Sequence, residues 1–127
     1  MTDRVAIVEI AANGYGSAID KALDLIRFDR VDFANRSAVV KPNLCNLQGP
    51  ELGVTTDVLL VESLVKILQR NGCSRIAIVE SDHWASTADE EFGRLGYREM
   101  AERNNIRLIN LSKAPSYAIA LHGKRFK

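Results

Sequence analysis

No apolar run in the sequence approaches the roughly eighteen to twenty residues that a membrane-crossing helix needs. Cysteine is scarce: Cys45 and Cys73 form no CxxC, so no disulfide framework and no cluster-binding CxxCxxC ligand set is expected. A reducing cytoplasm is the simplest location, and Met1-Thr2-Asp3-Arg4 leads straight into an apolar run without a signal peptide. Charge of one sign is also missing: 17 Lys and Arg against 16 Asp and Glu leave a net +1. Nothing global therefore draws nucleic acid or an anionic membrane. The short stretch 121–127 is locally basic and reads as a solvated end. There is no Walker A sequence, no internal repeat, no low-complexity tract and no interdomain linker. What is present is an ordinary globular balance, 46% hydrophobic and 26% charged over 127 residues, enough for one domain spanning 1–127.

Along the chain, strand and helix periodicities alternate. Residues 5–10 are an apolar run that predicts a strand, followed by a turn at Asn13-Gly14-Tyr15-Gly16. Ile19, Ala22, Leu23 and Ile26 then recur on one helical face, with Ser17 placed as the N-cap and Asp20 in the first turn. Residues 38–41 predict a second strand that Pro42 stops. Thr56 is placed as the cap of a helix over 57–69, ended by Asn71-Gly72. Its apolar positions leave only a narrow polar stripe of Glu62, Lys66, Gln69 and Arg70. Residues 75–80 predict a third, well buried strand. Thr87 and Glu90 have capping-box spacing for a short helix stopped at Gly96, and 97–104 restart a helix. Residues 107–111 predict a fourth strand, and alternation at Tyr117, Ile119 and Leu121 a weaker one on an edge. The expected fold is α/β: an open, mainly parallel, Rossmann-like sheet of four to five strands in three layers, with helices on both faces.

In a parallel sheet, the loops that follow the strands' carboxyl ends share one edge, which is where open α/β sheets bind ligands. That edge should collect 13–16, 41–57 and 80–86, bringing Lys41, Thr55 and Asp82 into one concave region. The first of these loops supplies only part of a dinucleotide fingerprint, and a tight turn explains it as well. Lys41, ending a buried strand, has two readings: an ammonium holding a phosphate or carboxylate, or a snorkelling strand-end lysine. Asn43 either donates to a ligand or orders its own loop. Thr55 and Thr56 stand at a helix N-terminus that favours anions, although Asp57 competes for the same field and capping accounts for Thr56 and Asp57. Glu80, Asp82 and His83 are the one group of potential acid–base or metal residues. Asp82 and His83, with Lys41, are therefore the catalytic candidates, and all three of the group are metal candidates. Trp84 is expected to pack over its loop or to stack on a ligand. Cys73 reads as core, Cys45 is undecided, and His122 has no identifiable partner.

Val39-Val40-Lys41-Pro42-Asn43-Leu44, then Gly53-Val54-Thr55-Thr56-Asp57 opening a helix with Val61-Glu62-Ser63-Leu64, then Ile76-Ala77-Ile78-Val79-Glu80-Ser81, resemble the DUF362 family, a domain of unknown function. Phe92-Gly93-Arg94-Leu95-Gly96-Tyr97 continues the match in the same order. Some members carry a ferredoxin-like module with two iron–sulfur clusters; this chain has no cluster ligands, so a cofactor of its own is not assigned. Members are also longer, so the resemblance implies an N-terminal portion whose partner is a second half or a homodimer mate. Two functions follow as expectations. One is an enzyme, or the N-terminal half of one, binding a small anionic metabolite at the carboxyl edge. The other is a non-catalytic accessory or redox-partner domain for an iron–sulfur protein or the second half. An exposed apolar patch is expected where that half would pack.

Overall fold

The computed structural model describes residues 4–11, 14–28, 33, 36–45 and 48–120. Three parallel strands form an open sheet in the order β1 (Ser37–Val40), β2 (Arg75–Glu80), β3 (Arg107–Asn110). Helix α1 (Gly14–Leu25) precedes β1, α2 (Val58–Arg70) links β1 to β2, and α3 (Ala88–Arg94) and α4 (Tyr97–Asn104) link β2 to β3. The α/β class and the parallel pairing agree with the periodicities. The sheet itself is smaller than the sequence implies.

Two predicted strands are not strands. Residues 5–10 have no regular structure, and Val5 and Ile7 are 90% and 94% exposed. An apolar β-branched run suits a strand only when a neighbour supplies the ladder, and local pattern cannot supply one. Residues 114–120 are likewise irregular, so Tyr117 and Ile119 join no ladder among the described residues, and Leu121 lies outside them.

Register decides which face the helices cover. Ala38 aligns with Ile76, Val40 with Ile78, and Ile78 with Leu108. Successive side chains alternate across a strand, so these five residues share one face. Ile76 and Ile78 belong to the core that Val61 and Val65 of α2, Ala88 and Phe92 of α3 and Tyr97 and Met100 of α4 build, and the partly buried Ala38, Val40 and Leu108 pack against it. The neighbouring α1 packs on α2, and α2 on α4. Among the described residues the helices therefore line one face, and the expected three-layer arrangement is a two-layer one. On the other face Val39 is 67% exposed.

The helix ends follow from local chemistry, with two adjustments. Ser17 is not the cap of α1; its hydroxyl donates to Gly14 O inside the first turn at 3.1 Å. Asp57, not Thr56, caps α2, its carboxylate accepting from Leu59 N at 2.8 Å. An ionised cap also complements the helix dipole, which a threonine does not. Gly72, at φ 90°, supplies the left-handed residue that ends α2. Thr87 and Glu90 form the expected capping box at α3.

Candidate functional site at the carboxyl edge of the sheet

The centre of this edge is Glu80, the last residue of the middle strand, 5% exposed. A carboxylate this deep needs partners, and the loops after β1 and β2 provide them. Lys41, one residue beyond β1, places Nζ 2.5 Å from Oε1. Ser81 N donates to the same oxygen at 2.9 Å, and Leu44 N donates to Oε2 at 3.3 Å. The Glu80 carbonyl accepts from Leu111 N, just past β3, at 2.8 Å. One residue thus ties the loops after β1, β2 and β3 together at the sheet's carboxyl end. Lys41 remains 53% exposed, so its ammonium meets both the buried carboxylate and solvent.

The other residues of the first loop are occupied with one another. Asn43 N donates to Thr56 Oγ1 at 3.0 Å while Thr56 N donates to Asn43 O at 2.9 Å. The Asn43 amide nitrogen donates to Val54 O at 2.7 Å, and Thr55 Oγ1 donates to Cys45 O at 3.2 Å. Together these bonds clamp the start of the loop to its end, across the 3₁₀ turn Pro50–Leu52 and the left-handed Gly53. Cys45 belongs to the clamp as well, its thiol donating to Val54 O at 3.5 Å. Asn43 and Thr55 thus spend their donors inside the protein, and among the described residues no acceptor takes the Thr56 hydroxyl proton. Below them, the Tyr97 hydroxyl donates to Thr56 O at 3.1 Å, and burial, with the Asp57 and Glu80 charges, pushes that phenol's pKa up. Tyr15 donates to Asp57 Oδ2 at 2.7 Å, and this hydrogen bond raises the Tyr15 pKa.

The second loop turns away from the first. Asp82 Oδ1 accepts from Ala88 N and from the Asn110 amide, both at 2.8 Å, and Asp82 N donates to Ser112 Oγ. His83 Nδ1 accepts from Ala85 N at 3.2 Å. The Ser86 hydroxyl donates to Glu91 Oε1 at 2.6 Å, so the 2.9 Å contact between His83 Nε2 and Ser86 Oγ needs the imidazole proton on Nε2. His83 is thereby fixed as one tautomer, with both nitrogens in use. Glu91 is fully buried and also receives Arg94 at 2.5 Å. Burial works to raise its pKa, but the hydrogen bonds from Ser86 and Arg94 prevail and hold it below the ordinary carboxylate value.

The loops after β1, β2 and β3 leave the same end of the sheet, as the parallel pairing requires, whereas the turn around Gly14 follows no strand among the described residues. Lys41 and Glu80 meet directly, whereas Asp82 and His83 are committed to loop order and to β3. Among the described residues no group of three or more His, Cys, Asp or Glu is placed to hold a metal ion, so Glu80, Asp82 and His83 do not converge. Two cavities lie elsewhere, one between α1 and α2 and one beside α4, and neither is lined by Lys41, Thr55 or Asp82. Trp84 does not cover its loop; it is 92% exposed. Cys73 is core, as expected. Asn13 and His122 lie outside the described residues. Sequence reasoning overlooked Glu91, although its spacing of three from Arg94 on a helix was a usable signal. It also assigned Glu62 to a solvent stripe, yet that carboxylate is buried against α4.

Among the described residues no helix is long and apolar enough to cross a membrane. No curated protein and no solved structure matches the chain. A family model described as "Domain of unknown function (DUF362)" matches residues 38–127, from β1 onward, and covers the Lys41–Glu80 pair, the Asn43–Thr56 clamp and the Glu91 network. The match takes in well over half of the sequence, and on that ground the chain belongs to the DUF362 family.

Proposed function

We propose that the carboxyl edge of the sheet binds a small anionic metabolite and that Lys41 is the charged contact. The observation that carries this reading is the Lys41–Glu80 pair, a half-exposed ammonium held at a fixed place by a buried carboxylate where three loops meet. Holding the lysine this way reduces the side-chain entropy lost on ligand binding, which is what preorganised sites do. Thr56, with its unspent hydroxyl proton, is the second contact. Asn43 and Thr55 act indirectly by keeping the loop closed. Asp82 and His83 order the second loop, so the reading is one of binding; any proton transfer at this edge falls to Lys41 and Glu80.

The test compares the natural chain with Lys41→Met in thermal-shift titrations using inorganic phosphate and citrate. Both anions are expected to raise the melting temperature of the natural chain at constant ionic strength and to leave Lys41→Met unmoved. The variant itself should lose about 1 kcal/mol, because Glu80 keeps two backbone donors but not its ammonium. Equal stabilisation of both proteins by the anions would refute the role of Lys41.

A second reading, an accessory or redox-partner domain that docks on an iron–sulfur protein or a further half, is favoured by a different observation. Val39 on the helix-free face and Val5, Ile7, Tyr117 and Ile119 outside the core are all strongly exposed. Sedimentation velocity over a concentration series tests it: self-association is the expected result, and a monomer at every concentration counts against the second reading.

A further inference from the structure

The cavity between α1 and α2 belongs to the opposite end of the molecule from Lys41. Tyr15 at the start of α1 meets Asp57 at the start of α2, and residues 20–28 meet 64–71, so the two helices run parallel. Their C-terminal halves enclose a hollow of about 250 Å³. Leu23, Leu64 and Leu68 give it an aliphatic wall. Phe28 and Phe33 give it an aromatic one, with ring centroids 6.5 Å apart and planes at 25°. At the rim, Arg70 is neutralised by Asp20 through bonds of 2.7 and 3.0 Å. Asp24 also lines the hollow, and its carboxylate has no hydrogen-bond or ion-pair partner among the described residues.

We propose that this hollow binds a small aromatic ammonium ion, its ring against Phe28 and Phe33 and its cation at Asp24. Three independent terms point to that charge. An unpaired carboxylate attracts a cation and repels an anion. The C-terminal ends of two helices each present partial negative charge of roughly half an electron. Aromatic faces attract ammonium groups as well. Lys21 on α1 and Arg27 just beyond it, each three residues from Asp24, do not line the hollow. Its volume lies below the roughly 300–1,000 Å³ of pockets for drug-sized ligands, which restricts the ligand to a single ring with a short side chain.

The experiment follows the methyl resonances of Leu64 and Leu68 while the protein is titrated with 2-phenylethylammonium, 2-phenylethanol or 3-phenylpropionate. The ammonium should saturate with a dissociation constant on the order of 1 mM, the alcohol should bind about tenfold more weakly, and the acid should not saturate. Asp24→Asn alters only an exposed carboxylate, so the fold should be kept. It should weaken the ammonium about tenfold and leave the alcohol unchanged. Leu64→Trp, which fills the hollow, should abolish both. The proposal is overturned if no compound saturates, if the three bind alike, or if Asp24→Asn changes ammonium binding by less than about twofold. A Leu64→Trp protein that fails to fold leaves the Asp24→Asn comparison to decide.

Discussion

Replacing Glu62 by glutamine should destabilise the protein by an amount that depends on pH in a defined way. Glu62 lies on α2, buried against α4, where Arg103 reaches it through two nitrogens at 3.0 and 2.9 Å. The Asn104 amide and the Lys66 ammonium complete the set at 3.0 and 3.1 Å. The Arg103 hydrogen bonds, followed by that from Asn104, outweigh burial and lower the Glu62 pKa from 4.5 to about 2. At about 1.36 kcal/mol per pKa unit, that shift sets a ceiling of roughly 3 kcal/mol. Because the Arg103 and Lys66 side chains are 51% and 62% exposed, solvent screening reduces the expected contribution to about 2 kcal/mol. A group whose pKa falls on folding stabilises the native state above its unfolded pKa and loses that contribution as pH drops through the folded value. The difference between the natural chain and Glu62→Gln should therefore be full at pH 7, fall below half near pH 3 and vanish below about pH 2. Urea unfolding at pH 7 and pH 3, analysed with a common slope, measures it. A melting-temperature difference of roughly 6–10 °C at neutral pH should accompany it. An equal free-energy difference at the two pH values would refute the electrostatic account and leave only packing. A neutral-pH difference under about 0.5 kcal/mol would mean that the arginine and lysine arms contribute nothing.

Two further outcomes follow from single contacts. Asp57→Ala should cost about 1–2 kcal/mol by removing the α2 cap, and in a spectrophotometric titration Tyr15 should ionise at lower pH than in the natural chain; a Tyr15 titration unchanged by the substitution would break the assigned link. Phe92→Ala, at a fully buried side chain packed against Tyr97, should cost about 3–5 kcal/mol in denaturant unfolding, and a loss below about 1 kcal/mol would show that the core between α3, α4 and the sheet is not as packed as its burial implies.

The elements most legible in the sequence were those whose signals are local and redundant. β2 is a continuous apolar run bounded by polar residues, the pattern of a strand buried on both sides. Helix α2 carried its Asn71-Gly72 stop and α3 its Thr87–Glu90 box in the open, although the α2 cap is Asp57 rather than Thr56. The errors arose where a distant partner decides. Residues 5–10 have the composition of a strand but no ladder to join. Glu62 sits on a polar stripe that faced solvent only until α4 was laid across it. At the candidate site, residue types drew attention to the carboxyl edge but not to the hydrogen bonds made there. An asparagine, two threonines, an aspartate and a histidine look like ligand contacts in a string of letters. Whether their polar atoms are instead spent on Val54 O, Cys45 O or Ala88 N depends on loop closure, which the letters do not encode.

The strands lie across the sheet in the same order as along the chain, β1, β2, β3, among the described residues. Both crossovers consequently step in one direction. Crevices in open α/β sheets arise where that stepping reverses, since neighbouring loops then part toward opposite sides and leave a gap between them. Neither the β1–β2 nor the β2–β3 junction has such a parting, which accounts for a carboxyl edge gathered around Glu80 whose charged residues line neither cavity. Lys41 follows the outermost strand. A strand laid against the free side of β1 by a connection crossing the helix-free face would introduce the reversal beside that lysine. A cleft formed in that way would open next to the half-exposed Lys41 ammonium.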